Sequence, residues 1–168
     1  PQALLEGERL LNAGKPEEAL APYQRAVAAL DRHPQAWNHL GLAHHCLGQP
    51  EEAAKAYRHA LSLDPNLVAA RFNLGCLLLE NRNPAAAAVE LASYTVHAPA
   101  SVEGWTKRGA AELRTRQFEA AAQSLRRALA LNPRAAEAAN ALGVLYVQRN
   151  RPHEAYQTFA AAAQMQPG

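Results

Sequence analysis

Histidine and cysteine side chains cluster in one short stretch of the chain, and both types bind soft metals such as zinc. The stretch holds His39, His44, His45 and Cys46. The apolar residues around them recur at helical spacing, so all four side chains are expected on one helix. Ligands on one helix share a face when they are three or four residues apart, and His39 and His45 are six apart. We predict no metal site and no cofactor.

Motifs of catalytic and nucleotide-binding sites are absent from the sequence. It contains no G-x-S-x-G, no G-x-x-x-x-G-K-[ST], no G-x-G-x-x-G and no H-E-x-x-H. Its two aspartates, Asp31 and Asp64, are expected in turns where helices stop. We predict that the chain is not an enzyme.

Positive charge is concentrated in one part of the chain. The formal net charge is +2, yet residues 102–135 alone carry seven Lys or Arg against three Glu, a local balance of +4. A basic patch of this kind suits an acidic peptide or membrane surface. A solvated helix face is the preferred explanation for Arg126 and Arg127. Nucleic acid is not expected as a partner, because it needs a longer basic stripe with exposed aromatic residues.

Three residue types recur with a spacing of 34 residues, and this period indicates the elements that position the side chains above. The series are Gly7, Gly41, Gly75, Gly109 and Gly143; Ala19, Ala53, Ala87, Ala121 and Ala155; and Pro65, Pro99, Pro133 and Pro167. A stack of similar units needs such a period, because each unit presents the same small-residue contact to its neighbour.

Residues 34–67 predict two helices joined by a tight turn. Apolar residues of the first half follow the three-and-four spacing of a helix face. Gly48 tolerates the positive φ that ends many helices, and Pro50 suits a first helical position. The second helix is expected to stop at Asp64 and Pro65. Repeated along the chain, this pattern predicts ten helices of about twelve residues.

The residues of this unit resemble the tetratricopeptide repeat. The matching pattern is Trp37-x2-Leu40-Gly41-x2-His44, followed by Ala53, Tyr57, Ala60 and Pro65. The resemblance implies an all-α fold, a right-handed α-solenoid of five antiparallel helix-turn-helix repeats. It implies one array, with repeats at about 1–33, 34–67, 68–101, 102–135 and 136–168.

The fourth repeat departs from the pattern in two places. Arg108 and Glu112 occupy the leucine and tyrosine positions of the family, and their spacing lets them form an ion pair. Phe118 stands where the other repeats have a proline. We expect the ion pair to have a structural role.

The resemblance also implies where a partner binds. In this family the first helix of each repeat lines a concave groove that holds a peptide or helix of another protein. The implied groove residues are Asn38, Leu42, His45, Phe72, Asn73, Cys76, Lys107, Ala110, Arg114, Asn140 and Val144. The predicted function is a protein-protein interaction scaffold, whose partner is acidic near the fourth repeat.

Two alternative functions remain open at this point. In the first, the repeats recruit substrates for a catalytic domain elsewhere in a longer protein, and Pro1 in place of methionine favours a fragment. Alternatively, the chain is a structural protein that self-assembles through an uncapped C-terminal end. There the apolar edge is expected to comprise Tyr156, Phe159, Ala162 and Ala163.

Compartment is weakly indicated by the sequence. Two cysteines are too few for a disulfide scaffold, so a reducing compartment such as the cytoplasm is favoured. A periplasmic location stays open because the N-terminus is expected to be truncated. No apolar run reaches the roughly 20 residues needed to span a bilayer.

Overall fold

The computed structural model describes residues 2–165, and ten α-helices account for the regular structure of these residues. The chain divides into two compact units, one ending at Asn81 and the other starting at Arg82. The first unit contains α1 (Gln2–Asn12), α2 (Pro16–Ala29), α3 (Pro34–Cys46), α4 (Pro50–Leu63) and α5 (Val68–Glu80). The second contains α6 (Pro84–His97), α7 (Val102–Arg114), α8 (Phe118–Leu131), α9 (Ala136–Gln148) and α10 (Pro152–Met165). The predicted last proline, Pro167, lies outside the described residues.

Each unit is built from helices that pack on their neighbours along the chain. In the first unit α1 packs on α2 and α3 on α4, while α3 also contacts α1 and α5. In the second unit α7 packs on α8 and α9 on α10, and α7 also contacts α9. Within each unit the turns between consecutive helices are short, so consecutive helices are antiparallel.

The recurring glycines allow a bulky side chain of the next helix to lie against the helix backbone. A Cβ atom placed on Gly41 would lie 2.7 Å from Cδ1 of Tyr57, whose side chain is fully buried. Equivalent close approaches join Gly7 to Tyr23, Gly109 to Leu125 and Gly143 to Phe159. At four of the recurring glycines, a bulky side chain of the following helix therefore fills the space that a Cβ atom would occupy.

The turn inside each helix pair uses a left-handed residue at the same repeat position. Gly48 has a φ of +67°, as its place after the first helix predicts. The other turn residues with positive φ are Gly14, Arg82, Arg116 and Asn150. The positive φ is thus retained where glycine is absent, and it marks the end of the preceding helix.

Long side chains at the family's tryptophan position hold the turn that precedes their own helix. The indole Nε1 of Trp37 donates to the carbonyl oxygen of Asp31 at 2.8 Å. Trp105 donates in the same way to Pro99 at 3.0 Å. At the equivalent position Arg71 donates to the carbonyl oxygen of Pro65. Each bond satisfies a carbonyl group of the turn that lies just beyond the end of the preceding helix.

The departure in the fourth repeat is a buried polar network in the second unit. Nε of Arg108 lies 2.7 Å from Oε1 of Glu112, which confirms the predicted ion pair. The hydroxyl of Ser124 donates to the other carboxylate oxygen at 2.7 Å, and Arg108 also donates to Thr95 at 3.0 Å. The Glu112 side chain is 5% exposed. Hydrogen bonds from these partners therefore stabilise the buried carboxylate in place of hydration by water.

Candidate functional site

The predicted groove residues lie on four helices, two in each unit. Helix α3 carries Asn38, Leu42 and His45, and α5 carries Phe72, Asn73 and Cys76. Helix α7 carries Lys107, Ala110 and Arg114, and α9 carries Asn140 and Val144. Within each unit, the two helices concerned contact one another.

Two polar contacts join α3 to α5 in the first unit. Nδ2 of Asn73 donates to Oδ1 of Asn38 at 3.0 Å. Nε2 of His45 lies 2.8 Å from Oε2 of Glu80. On each helix the two residues are seven positions apart, which is two helical turns or about 10 Å. We call these contacts the two polar bridges of the first unit.

On each of the two helices, an apolar residue lies between the residues that form the polar bridges. Leu42 lies between Asn38 and His45 on α3, and Cys76 lies between Asn73 and Glu80 on α5. Both side chains are partly buried, as is Phe72 one residue before Asn73. The structure thus combines a partly accessible apolar surface with polar groups at its two ends.

Asn38 differs from the prediction because it is buried. Only 5% of the residue is exposed, and its amide oxygen accepts the hydrogen bond from Asn73. A buried amide needs such a partner, because an unsatisfied one is costly. Asn38 therefore positions Asn73, and Asn73 is the asparagine of this pair that is partly exposed.

His45 forms a hydrogen-bonded link between Tyr57 and Glu80. The hydroxyl of Tyr57 lies 3.4 Å from Nδ1 of His45, while Nε2 faces the carboxylate of Glu80. Burial raises the pKa of the Tyr57 hydroxyl, so Tyr57 stays protonated and acts as the donor. Nδ1 then accepts from Tyr57, and Nε2 is left to donate to Glu80. This arrangement fixes the ring plane of His45.

The predicted cationic side chain of α7 is paired within the second unit. Nζ of Lys107 lies 2.8 Å from Oε1 of Glu137 at the start of α9. Glu137 lowers the positive charge of this surface. Arg114, Asn140 and Val144 are exposed, whereas Ala110 is partly buried. Sequence spacing gives no signal for the Lys107–Glu137 contact, because the two residues are thirty positions apart.

The histidines of α3 have separate environments. His39 lies near Tyr23 and has Nδ1 3.5 Å from a carboxylate oxygen of Glu8. Burial lowers the pKa of His39, which keeps the ring neutral at neutral pH. Nδ1 of His44 lies 2.6 Å from the side-chain oxygen of Gln49. In residues 2–165, no group of three or more His, Cys, Asp or Glu is arranged to hold a metal ion.

None of the described helices is long and apolar enough to cross a membrane.

The family assignment rests on sequence profiles that cover most of the chain. A profile described as tetratricopeptide repeat matches residues 4–68 and 106–168, and a second profile with that description matches residues 56–88. The chain belongs to the tetratricopeptide repeat family. Proteins of this family are in general non-enzymatic, and the chain is a protein-protein interaction scaffold. No curated protein matches the sequence significantly.

Solved structures of tetratricopeptide repeat proteins share the fold along nearly the whole chain. MamA from Desulfovibrio magneticus RS-1, residues 41 to the end, has a TM-score of 0.92 and 24% identity, over 98% of this chain and 93% of that one. A MamA structure labelled AMB-1 has a TM-score of 0.90 and 21% identity, over 97% and 96% of the two chains. YrrB, described as a TPR protein with an unusual peptide-binding site, has a TM-score of 0.88 and 19% identity, over 98% and 85%. These likenesses confirm the predicted all-α solenoid.

Proposed function

We propose that the first unit binds an extended peptide segment of a partner protein along α3 and α5, without catalysing a reaction. The observation that carries this proposal is the pair of polar bridges with apolar side chains between them. A peptide in extended conformation presents alternating side chains and a row of backbone amides. Such a ligand matches a surface that offers apolar contacts between two hydrogen-bonding ends. The peptide-binding site named for YrrB supports the same class of ligand.

Asn73 is the residue proposed to contact the peptide backbone. Its amide group has two N–H donors and an oxygen acceptor, and the bond to Asn38 uses one N–H. The remaining N–H and the oxygen match the carbonyl and amide groups of a peptide bond. Because Asn38 is buried and holds Asn73 in place, less side-chain entropy is lost when the peptide binds.

Leu42 is the residue proposed to make the central apolar contact. It lies one helical turn from both Asn38 and His45 and is partly exposed. A glutamate at this position places a charge against the apolar part of the ligand, and desolvating that charge is costly. The effect on binding is therefore expected to be large.

We expect Leu42→Glu to weaken binding of selected peptides at least tenfold, a loss of about 1.4 kcal/mol. The peptides are first selected from a random displayed library on the unmodified protein, and their affinities are then measured by fluorescence polarisation. Ala28→Glu is the matched control, since it adds the same side chain at an exposed position on α2. Circular dichroism checks that both variants stay helical. Equal affinities for the wild-type and Leu42→Glu proteins would contradict the proposal.

We further propose that the partner is acidic where it meets α7 of the second unit. Arg114 is exposed at the last turn of α7, and Lys107 lies on the same helix. Glu137 offsets part of the charge of Lys107, and Arg114 adds a second positive charge at the end of the same helix. The attraction is expected to weaken as salt rises, because both groups are accessible to solvent.

Self-association through α10 is a second candidate function, favoured by one exposed aromatic side chain. Tyr156 is 73% exposed, whereas Ala162 is 3% exposed and Phe159 packs beneath Gly143. The predicted apolar edge is therefore smaller than expected, because Ala162 is buried in the unit. Tyr156 is the appropriate residue for a test, since a charge at Phe159 also disrupts packing.

We expect Tyr156→Glu to halve the mass measured by light scattering if the protein self-associates through this end. The substitution changes an exposed side chain, so thermal stability is expected to change by no more than about 0.5 kcal/mol. Val96→Glu, at a side chain of 74% exposure on α6, is the control. A wild-type protein that is already monomeric, or a mass unaffected by Tyr156→Glu, would exclude this mode of assembly.

A further inference from the structure

We infer that the second unit carries another binding site, for an acidic peptide segment of a protein partner, in a cleft between α8 and α9. The cleft has a volume of about 220 Å³. Its lining includes Phe118, Glu119, Arg126, Tyr146, Arg149 and Arg151. None of them belongs to the residues proposed above for peptide binding. We call it the α8–α9 cleft.

Arginine side chains and aromatic rings hold one another in place around the cleft. The guanidinium carbons of Arg116 and Arg149 lie 5.9 and 5.6 Å from the centre of the Phe118 ring. Arg151 lies 5.1 Å from the centre of the Tyr146 ring. Guanidinium groups above aromatic faces are attracted by the ring and lose some of their rotational freedom. The positive charges are thus held near their positions before a ligand binds.

Positive charge exceeds negative charge at the cleft. Glu119 lies 2.6 Å from Arg149, and Glu154 is paired with Arg151. Arg126 instead donates to the hydroxyl of Tyr146 at 3.2 Å, and Arg116 contacts Phe118. In the described part of the chain, neither of these two arginines has a carboxylate within 4.0 Å. Among the residues that line the cleft, Arg126, Arg149 and Arg151 against Glu119 leave a local excess of two positive charges.

The other helix pairs show that the repeat does not require this cluster. The equivalent helix pairs are α2–α3, α4–α5 and α6–α7. In these pairs the position of Phe118 is occupied by Pro16, Pro50 and Pro84. The position of Tyr146 is occupied by His44, Leu78 and Glu112, and that of Arg149 by Leu47, Asn81 and Thr115. The folding of a helix pair therefore does not explain why aromatic and arginine side chains meet here.

The chemistry of the cleft specifies its ligand. Guanidinium groups bind carboxylates through two parallel hydrogen bonds, and their hydration is weak enough to be displaced. Phe118, Ala122 and Leu145 add an apolar surface beside the arginines. A peptide with glutamate or aspartate on both sides of an apolar residue meets both requirements. The exposed Glu119–Arg149 pair contributes little stability, so a ligand carboxylate can replace Glu119.

The test uses a blocked peptide, acetyl-Glu-Glu-Phe-Glu-Glu-amide, titrated into the full chain by calorimetry. Its control is the same peptide with every Glu replaced by Gln, which keeps size and hydrogen bonding but removes the charge. We expect the acidic peptide to bind at least tenfold more tightly than the Gln peptide. The difference is expected to vanish at about 1 M salt, where the Debye length falls to about 3 Å.

Variants of the two ligand-facing charges are expected to act in opposite directions. Arg126→Ala is expected to weaken binding of the acidic peptide about tenfold, through the loss of a charge-assisted hydrogen bond. Glu119→Gln is expected to strengthen it about threefold, because it removes the carboxylate that competes for Arg149. Arg127→Ala is the matched control, since it removes an exposed arginine from the next position of α8 and lines no part of the cleft.

Three outcomes would overturn this inference: no binding of the acidic peptide, equal binding of both peptides, or equal losses in Arg126→Ala and Arg127→Ala. A phosphate-bearing ligand is tested by replacing the central Phe with phosphotyrosine in the Gln peptide. Tighter binding of that peptide than of the acidic one would also reject an acidic segment as the ligand. Leu42→Glu is expected to leave these affinities unchanged, which separates this site from the one proposed in the first unit.

Discussion

Replacing Glu112 with leucine is expected to lower the free energy of unfolding by about 3 kcal/mol, since one member of a buried ion pair is removed. Leucine has a volume close to that of glutamate, so a cavity contributes little to the loss. The loss arises because the buried hydroxyl of Ser124 and the partly buried guanidinium of Arg108 lose the carboxylate that both contact. Denaturant unfolding followed by circular dichroism measures it.

A triple variant tests whether the network or the position is responsible. Arg108→Leu, Glu112→Leu and Ser124→Ala together install the residues that the second and third repeats carry at these sites, Leu74, Leu78 and Ala56. Since an entire buried pair can be exchanged for apolar residues at little cost, its stability is expected within about 1 kcal/mol of the wild type. A single Glu112→Leu variant as stable as the wild type would show that the network contributes nothing.

Replacing Gly41 with alanine is expected to lower the free energy of unfolding by about 2 kcal/mol. The new methyl group would lie 2.7 Å from ring atoms of Tyr57, well inside van der Waals contact. The ring cannot retreat easily, because Tyr57 is fully buried and its hydroxyl contacts His45. Alanine also has a higher helix propensity than glycine by up to about 1 kcal/mol, so a gain in stability is expected if packing is loose.

Comparison with a second background distinguishes these two effects. In a Tyr57→Ala background the space beside position 41 is open, so Gly41→Ala is expected to be neutral or stabilising. The difference between the two backgrounds is the coupling energy between the residues. Gly143→Ala, which would place its methyl group 2.5 Å from the ring of Phe159, provides the same measurement in the second unit without altering Tyr57. Coupling near zero at both sites would contradict the close-packing interpretation.

The helices and their turns were predictable because their signals are local. The positions of Gly48 and Pro50 mark a turn, and the structure places the first after α3 and the second at the start of α4. The 34-residue period then repeats this solution along the chain. Phe118 also begins a helix, although the sequence has no proline there to mark it.

The details of the candidate sites were less predictable because they depend on contacts between distant residues. The family pattern places Asn38 in the groove, but in the structure Asn38 is buried. It accepts a hydrogen bond from Asn73, which is 35 positions away in the chain. Arg126 is exposed, as a solvated helix face predicts, but spacing gives no sign that its guanidinium also contacts Tyr146, 20 positions along the chain. Helical periodicity assigns a residue to a face, and it does not specify which side chain of the next helix that face meets.

The sequence by itself determined the repeat, its helix pairs, its family and the pairing of Arg108 with Glu112. Each of these depends on spacing along one or two helices, where geometry follows from a fixed number of residues per turn. The tertiary structure alone decided which polar groups are buried, which charges are paired and where aromatic and arginine side chains meet. Those properties depend on the packing of neighbouring helices, since exposure and charge pairing are set by atoms that are far apart in the chain.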